Sequence, residues 1–362
     1  MTALAPKVAL GSLGQPATLA EALHTWSGFV QAEPGETSAQ PNLTLAPGAP
    51  VDPAAFLAEH GLTGPVQPIG CHFLQDVTVC GVLYPFLDGR LIDDGSHLSM
   101  VSADWLTRFP THFPGRSGKP PLVLDAPVLP VAGPGYQTYG HWIIDFLPRI
   151  AVARAVLGDA FGTLKYLILH DTPDWAMRLM ASFFGIQEAD CYRLTFGADE
   201  VLCRRVLYPT YAHTYPFLVH SFLRRFYRLA HPPSSAFRRI CVRRRTSPAD
   251  GRPFAQRAAF EVEAVRRGYQ LVDPLELTLA QQVSVFGTAS VIIGEYGSAL
   301  HNSVFSPSST VVGVLNAPGV EQTRLCAAFG QPVVYMPSSS RAGPWTLTDA
   351  ELASFFDAVA TA

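Results

Sequence analysis

Short apolar runs alternate with helix-period segments along most of this sequence, and this alternation predicts its elements. The stretch VTVCGVLYPFLDGRLIDDG reads as two strands that meet at the Asp88-Gly89 turn, a dipeptide typical of β-hairpins. Further strands are predicted within 121–131 and at 166–170, 200–209, 238–244, 269–274, 290–294, 310–315 and 333–336. Helices are predicted at 19–26, 53–60, 141–157, 174–184, 217–229, 254–267, 279–286, 298–305 and 349–360. Strands that alternate with helices indicate an α/β fold with parallel sheets.

The predicted elements fall into two Rossmann-like lobes, which suits a chain of 362 residues. The first lobe spans 1–230 and carries extra β structure near its N-terminus. The stretch HPPSS at 231–235 is typical of a linker, and the second lobe follows at 236–345. A final helix lies within 346–362, and docking back on the first lobe is one arrangement open to it.

Composition narrows the function classes. Charged residues make up 15% of the chain and the formal net charge is −3, so a general nucleic-acid binder is not expected. No window of about 18 residues is free of charge and turn residues, which argues against a membrane-spanning helix. The six cysteines are scattered without paired spacing, which indicates reduced thiols in a cytosolic protein. Lysine fills three of the 26 basic positions. We interpret this excess of arginine over lysine as a general compositional bias. Only an arginine whose place in the fold suits phosphate binding carries a functional prediction.

The motif GHWIIDFLPRI, at 140–150, carries the first candidate site. On a helix, His141, Asp145 and Arg149 lie at i, i+4 and i+8 and therefore share one face. Pro148 lacks an N–H, so we expect the helix to kink or loosen after Asp145. The carboxylate could orient the imidazole for acid/base chemistry. A surface ion pair on a core helix is the alternative.

Two further motifs suit an anionic ligand. In ICVRRRTSPADGRPF, at 240–254, a strand ends in three arginines and runs into a loop that carries Arg252; ligands of parallel sheets bind beyond such strand ends. A solvated basic loop is the alternative. In the stretch from Thr278, a capping box with Gln281 opens a helix, and the next strand enters the Gly294–Gly297 turn. Ser298 could cap the following helix, whose N-terminal N–H groups could face a phosphate.

The three motifs, in this order, resemble glycosyltransferase family 61 over about 136–318. The family's first block reads G-H-W-x-x-D-x-x-P-R, and the matching residues here are Gly140, His141, Trp142, Asp145, Pro148 and Arg149. In the second block Arg244 and Arg252 match, while Gln256 stands at an Asn position. In the third block the matches are Leu277, Gln282, Gly294, Gly297, Leu300, Asn302, Phe305 and Pro307.

The resemblance implies a GT-B architecture and an inverting, metal-independent glycosyltransferase without a cofactor. A hexosyl or pentosyl group would pass from a nucleotide sugar, above all a UDP-sugar, to a glycan or lipid-linked glycan in bacterial capsular, exopolysaccharide or lipopolysaccharide synthesis. The absence of a D-x-D motif agrees with this. Without a signal peptide or anchor in the sequence, we expect a cytoplasmic enzyme. Peripheral membrane contact and a homo-oligomer stay open.

The resemblance also assigns roles to residues. His141 and Asp145 would deprotonate the acceptor hydroxyl, and the sequence leaves open which of them takes the proton. Binding of the donor diphosphate would fall to Arg149, Arg244, Arg252, Gly294, Tyr296, Gly297, Ser298 and Asn302. Gln282 is a further matched residue.

Three departures from the family pattern support an alternative. Tyr296 replaces a His, Gln281 replaces a Glu, and Gly313 or Val314 stands where an acid usually follows the late strand. Each change removes a charge or a proton-transfer group from the donor side. The alternative is therefore a catalytically impaired, glycosyltransferase-like binding protein in a polysaccharide-assembly complex. A third hypothesis is a transferase that adds a non-sugar group on the same scaffold.

Overall fold

The computed structural model describes residues 7–10, 13–93, 120–232, 234–245, 253–339 and 343–362. The chain divides into two compact units. The first unit comprises Met1–Glu36 and Val66–Pro216, and the second comprises Thr37–Pro65 and Phe217–Ala362. These bounds differ from the predicted lobes because the segment 37–65 belongs to the second unit, where one of its strands extends the sheet.

The strands and helices are numbered here in chain order. The strands are β1 Lys7–Ala9, β2 Gly28–Glu33, β3 Glu36–Thr37, β4 Leu43–Leu45, β5 Pro65–Val66, β6 Ile69–Cys80, β7 Tyr84–Leu87, β8 Arg90–Asp93, β9 Leu122–Pro130, β10 Lys165–Leu169, β11 Cys191–Leu194, β12 Glu200–Pro209, β13 His213–Thr214, β14 Leu218–Val219, β15 Arg238–Val242, β16 Gln270–Val272, β17 Ala289–Glu295, β18 Val311–Leu315 and β19 Val333–Met336. The α-helices are α1 Leu19–Thr25, α2 Pro53–His60, α3 Tyr139–His141, α4 Leu147–Leu157, α5 Asp174–Phe184, α6 Phe222–Ala230, α7 Arg257–Arg266, α8 Leu279–Gly287, α9 Glu321–Phe329 and α10 Asp349–Thr361. A π-helix spans Trp142–Phe146, and 3₁₀ turns span Gly158–Thr163, Glu188–Asp190, Pro274–Glu276 and Ser298–Phe305.

The first unit is built on a mixed sheet, so the expectation of a parallel first lobe was wrong in part. Its strand order is β1-β8-β7-β6-β12-β9-β10-β11, and β2 also pairs with β6. Strands β12, β9, β10 and β11 run parallel to one another, whereas β2, β7 and β12 pair with β6 in antiparallel fashion. Short hairpin connections join β6, β7 and β8, and such connections can only make antiparallel pairs.

The second unit is built on a wholly parallel sheet of six strands, ordered β16-β15-β17-β18-β19-β4. The predicted strand–helix alternation is therefore confirmed here. Strand β18 is buried along its whole length, as expected for a parallel strand that is covered on both faces. The final helix α10 packs on β18 and β19 of this same unit. Its apolar face, with Phe355 and Phe356, belongs to the core of this unit, and docking of the helix on the first lobe stays a prediction.

Local sequence signals explain several element ends. The Asp88-Gly89 turn has positive φ at both residues, 49° and 71°, as a two-residue hairpin turn requires. Thr278 and Gln281 form the predicted capping box at the start of α8.

All six cysteines are thiols, and five of them are buried. None of the helices in the described ranges is long and apolar enough to cross a bilayer.

Candidate active site

The predicted loosening of the first motif's helix is present as a π-helical turn. The α-helical turn α3 gives way to the π-helix at Trp142 and resumes at Leu147, whose N–H donates to the Trp142 carbonyl, five residues back. Pro148 explains why the π-helical turn occurs here. Proline has no N–H, so it cannot donate the α-helical hydrogen bond to the Ile144 carbonyl. Such wide turns are frequent at functional sites because they re-aim side chains.

The π-turn aims Asp145 into the interior, where its carboxylate joins two imidazoles. His141 Nδ1 lies 2.6 Å from Asp145 Oδ2, and His213 Nε2 lies 2.6 Å from Oδ1. The side chains of Asp145 and His213 are 0% and 1% exposed, whereas that of His141 is 27% exposed. The alternative of a surface ion pair was therefore wrong, and the site is a buried carboxylate that presents one imidazole to solvent.

The charge of Asp145 follows from its surroundings. Burial alone would raise the pKa of this carboxyl, but the hydrogen bonds from His141 and His213 outweigh it and hold the pKa well below its usual range. Asp145 is therefore a carboxylate, and both histidines donate an N–H to it. This arrangement fixes His141 with Nδ1 protonated and Nε2 as the basic nitrogen.

Gly135 shapes the site from below the His141 ring. Its φ is +84°, and a Cβ placed on it would lie 2.2 Å from His141 Cδ2 and 2.5 Å from Nε2. The next residue, Tyr136, accepts a hydrogen bond of 2.6 Å from Trp142 Nε1 at its carbonyl oxygen. This hydrogen bond ties the loop after β9 to the helix, and only glycine at position 135 leaves space for the His141 ring.

Arg149 lies in the first unit and is 2% exposed. Its guanidinium carbon lies over the rings of Tyr208 and Tyr211, at 4.6 and 4.7 Å from their centroids. Nε donates to the Pro209 carbonyl at 3.2 Å and Nη1 to the Pro130 carbonyl at 3.4 Å. These contacts tie together the carboxyl ends of β9 and β12. The predicted role of Arg149 in diphosphate binding remains a prediction.

The three consecutive arginines after β15 separate into two kinds. Arg243 pairs with Glu261, and Arg245 pairs with Asp273 at 2.5 Å, and in both pairs the arginine is exposed while the carboxylate is largely buried. Arg244 instead turns to the loop after β17, where its Nη1 donates to the Tyr296 carbonyl at 3.0 Å. This alternation follows from side chains that point to opposite sides of an extended segment. The structure thereby brings Arg244 to the predicted donor loop.

The loop from Gly294 to Asn302 gathers the other predicted donor residues of the second unit. A Cβ on Gly297 would lie 2.8 Å from Arg244 Nη1, and a Cβ on Gly294 would lie 3.1 Å from the Val242 carbonyl oxygen. Both glycines therefore permit close approach between β17 and the end of β15. A small pocket in this region is lined by Arg244, Glu295, Tyr296, Asn316 and Trp345.

The segment after this loop differs from the prediction. Ser298 is the first residue of a 3₁₀ helix whose cap position is Gly297, so Ser298 does not cap an α-helix. Asn302 lies on the second turn of that helix and is fully buried. Arg252 lies outside the described residues, so its predicted place beside Arg244 stays a prediction.

Sequence reasoning missed four residues of these sites. His213 follows Asp145 by 68 residues and has no local pattern that points to it. In the second unit Glu295 forms a bidentate pair with Arg257, at 2.5 and 3.0 Å, with both side chains largely buried. Glu321, at the start of α9, accepts a short hydrogen bond from the Tyr296 hydroxyl. Two carboxylates therefore flank Tyr296.

Two departures from the family pattern, Gln281 and Gly313, and the matched residue Gln282 have structural explanations. Gln281 closes the capping box of α8. Gln282 donates to the carbonyls of Pro274 and Leu277, at 2.9 and 3.2 Å, and so holds the preceding turn. At Gly313 a Cβ would lie within 2.9 Å of Val359, Ile293 and Phe355 side-chain atoms, which leaves no space for an acid.

Comparison with known proteins gives one family match. Residues 139–313 match the family model described as Glycosyltransferase 61. This segment begins at α3 and ends within β18, so it contains His141, Asp145 and His213 as well as the loop around Tyr296. A comparison with curated proteins finds no match.

Proposed function

This chain belongs to glycosyltransferase family 61, and from that premise we propose that it moves a sugar from a nucleotide-sugar donor to a glycan hydroxyl with inversion at the anomeric carbon. The observation that carries the proposal is the buried Asp145 carboxylate between His141 and His213. The GT-B architecture and a role in bacterial surface-polysaccharide synthesis, in the cytoplasm or at the inner face of the membrane, belong to the same proposal.

His141 is the general base in this proposal, and Asp145 positions it. A sugar hydroxyl is a weak nucleophile until a base removes its proton as the new bond forms. The basic Nε2 of His141 belongs to the partly exposed ring, whereas Asp145 is fully enclosed and uses both oxygens on the histidines. As His141 takes the proton it becomes a cation, and the adjacent carboxylate stabilises that charge.

The donor site of this proposal is the loop after β17. Arg244 places a positive charge against the loop backbone at Tyr296, where Gly297 has no side chain to block the approach. A guanidinium in such a position suits an anionic diphosphate. Stabilisation of the leaving group as its negative charge grows is the main electrostatic demand of the reaction. Arg149, Arg252, Ser298 and Asn302 remain candidates for contacts to the donor.

The alternative of a binding protein without turnover rested on lost acids and a lost histidine on the donor side. Near the predicted donor loop, Glu321 accepts a hydrogen bond from the Tyr296 hydroxyl and Glu295 pairs with Arg257, so this region keeps two carboxylates and a hydroxyl. These contacts favour an active enzyme. Binding of nucleoside diphosphates without transfer to any acceptor would instead support the alternative.

The proposal is tested with a panel of nucleotide sugars and oligosaccharide acceptors. Release of nucleoside diphosphate is measured with and without acceptor, and the anomeric configuration of the product is read by proton NMR. We expect acceptor-dependent release and a product of inverted configuration. A retained configuration would contradict the direct displacement, and release of no nucleotide with any donor would contradict the glycosyltransferase assignment.

A further inference from the structure

A second polar cluster of the first unit includes Tyr136 and Gln137, which directly follow the Gly135 that lies against the His141 ring. Asp171 follows strand β10 and is exposed. Its Oδ2 accepts a hydrogen bond of 2.7 Å from the Tyr136 hydroxyl and one of 2.9 Å from Gln137 Nε2. The same carboxylate oxygen thus receives two donors from the loop that passes below the His141 ring.

The backbone around Asp171 is as well fixed as its side chain. The Leu169 N–H donates to Thr172 Oγ1 at 3.1 Å, and the Thr172 N–H returns to the Leu169 carbonyl at 3.0 Å. This reciprocal pair closes a tight turn at the end of a buried strand. The carboxylate therefore stands on a rigid support, at the carboxyl edge of the parallel strands where α/β sheets bind ligands.

Aromatic rings connect the same segment to the helix that carries His141. Trp175 is half-buried, and its ring lies 5.7 Å from that of Tyr139 and 6.2 Å from that of Trp142. His141 lies between Tyr139 and Trp142 in the chain. Asp171 therefore contacts the loop that precedes His141, and Trp175 contacts the helix that carries it.

This combination matches the chemistry of a saccharide. Sugar hydroxyls donate to carboxylates, and the apolar face of a sugar ring packs on an aromatic ring such as Trp175. The Tyr136 and Gln137 donors orient Asp171, so a bound hydroxyl does not have to order it. The negative charge also disfavours a second carboxylate at this position.

We propose that Asp171, positioned by Tyr136 and Gln137 and flanked by Trp175, forms the acceptor subsite beside His141 and selects a neutral sugar at that position. This inference rests on the proposed function, because it assigns the acceptor of that reaction. It is also a statement about sugar binding, which can be measured without turnover.

The binding test uses the whole chain labelled with ¹⁵N and no donor. Neutral methyl glycosides (glucoside, galactoside, mannoside, xyloside) and the methyl glycosides of the matching uronic acids are titrated, and the indole N–H signal of Trp175 is followed, assigned with Trp175→Phe. We expect at least one neutral sugar to shift this signal, and Asp171→Asn to weaken its binding by about tenfold or more. Asp159→Asn removes another exposed carboxylate of the same unit and leaves binding unchanged.

Two results of that titration would overturn the inference. One is that no neutral sugar moves the Trp175 signal, and the other is that Asp171→Asn binds as the wild type does. Preferred binding of uronic acids over neutral sugars would contradict the selectivity. Because no transfer is measured, these outcomes are separate from failure of the proposed function.

The kinetic test separates this subsite from a structural role. In Asp171→Asn we expect the KM for the acceptor to rise about tenfold or more while the KM for the donor and the rate of donor hydrolysis stay unchanged. Tyr136→Phe removes one of the two donors and gives a smaller rise of the same kind. Equal effects on donor and acceptor, or loss of folding cooperativity in both variants, would refute the assignment.

Discussion

Replacement of Gly135 by alanine tests how tightly the backbone defines the position of His141. The new Cβ would lie 2.2 Å from His141 Cδ2, and ordinary contact begins at 3.4 Å, so the ring must withdraw by about 1.2 Å. A displacement of that size stretches the 2.6 Å bond to Asp145. Misplacement of a catalytic group by about 1 Å costs on the order of 10²-fold in rate.

The chain offers a matched control in Gly185. This glycine ends α5 with φ +73°, close to the +84° of Gly135, but a Cβ there would meet nothing within 4 Å. Both alanines carry the left-handed backbone cost of about 1–2 kcal/mol. Gly135→Ala adds the cost of overpacking, about 1–3 kcal/mol.

The assay pairs the free energy of unfolding, from urea titrations, with kcat for transfer. We expect Gly185→Ala to be mildly destabilised with wild-type kcat, and Gly135→Ala to lose more stability and about 10²-fold in kcat. If Gly135→Ala is no less stable than the control, or keeps the wild-type rate, the close contact below the imidazole does not position His141.

Two further predictions concern buried charge. Burial lowers the pKa of His72 to about 4. As the pH falls below the ordinary pKa of histidine, His72 therefore binds a proton in the unfolded chain before it does so in the folded chain. Stability should therefore fall by about 2 kcal/mol between pH 8 and pH 5. In His72→Phe the fall between pH 8 and pH 5 should be smaller by that amount, and an equal fall in unfolding free energy for both proteins, from urea titrations, would contradict the prediction. In the second unit Arg257→Met leaves Glu295 buried without its bidentate partner, and should cost about 3–5 kcal/mol of unfolding free energy. The double variant Arg257→Met/Glu295→Leu should recover most of that loss, and a double variant as unstable as the single one would refute the penalty.

Local patterns predicted the parts of the fold that depend on neighbouring residues. The Asp88-Gly89 turn and the Thr278 capping box are of this kind, and both are present. The contact between His141 and Asp145 follows from helical spacing and is present at 2.6 Å. The burial of Asp145 did not follow from the spacing, because the π-turn that directs its carboxylate inward depends on the packing around that turn.

Helix α9 could not be recognised, because its polar residues are buried. Gln322, Thr323 and Arg324 are 1%, 0% and 4% exposed, so the helix lacks the alternation of apolar and polar faces that a sequence pattern detects. Arg324 donates to the carbonyls of His60 and Glu59 within the same unit. Long-range partners of this kind leave no local signal.

The same reason applies to the residues missed at the two sites. His213 reaches Asp145 only because β12 brings its end beside the end of β9, and Glu321 reaches Tyr296 across 25 residues. Likewise the short strand β4 joins the second unit's sheet by pairing with β19. Pairings between distant segments are set by topology, which the order of elements alone left open.

The rate of sugar transfer by His141→Gln tests the central claim most directly. Glutamine keeps a polar side chain of similar reach but cannot act as a base at neutral pH. The account predicts a fall in kcat of about 10²–10⁴-fold with unchanged donor KM, while His24→Gln, at an exposed histidine of the same unit, keeps the wild-type rate. A His141→Gln enzyme that transfers sugar as fast as the wild type would contradict the account.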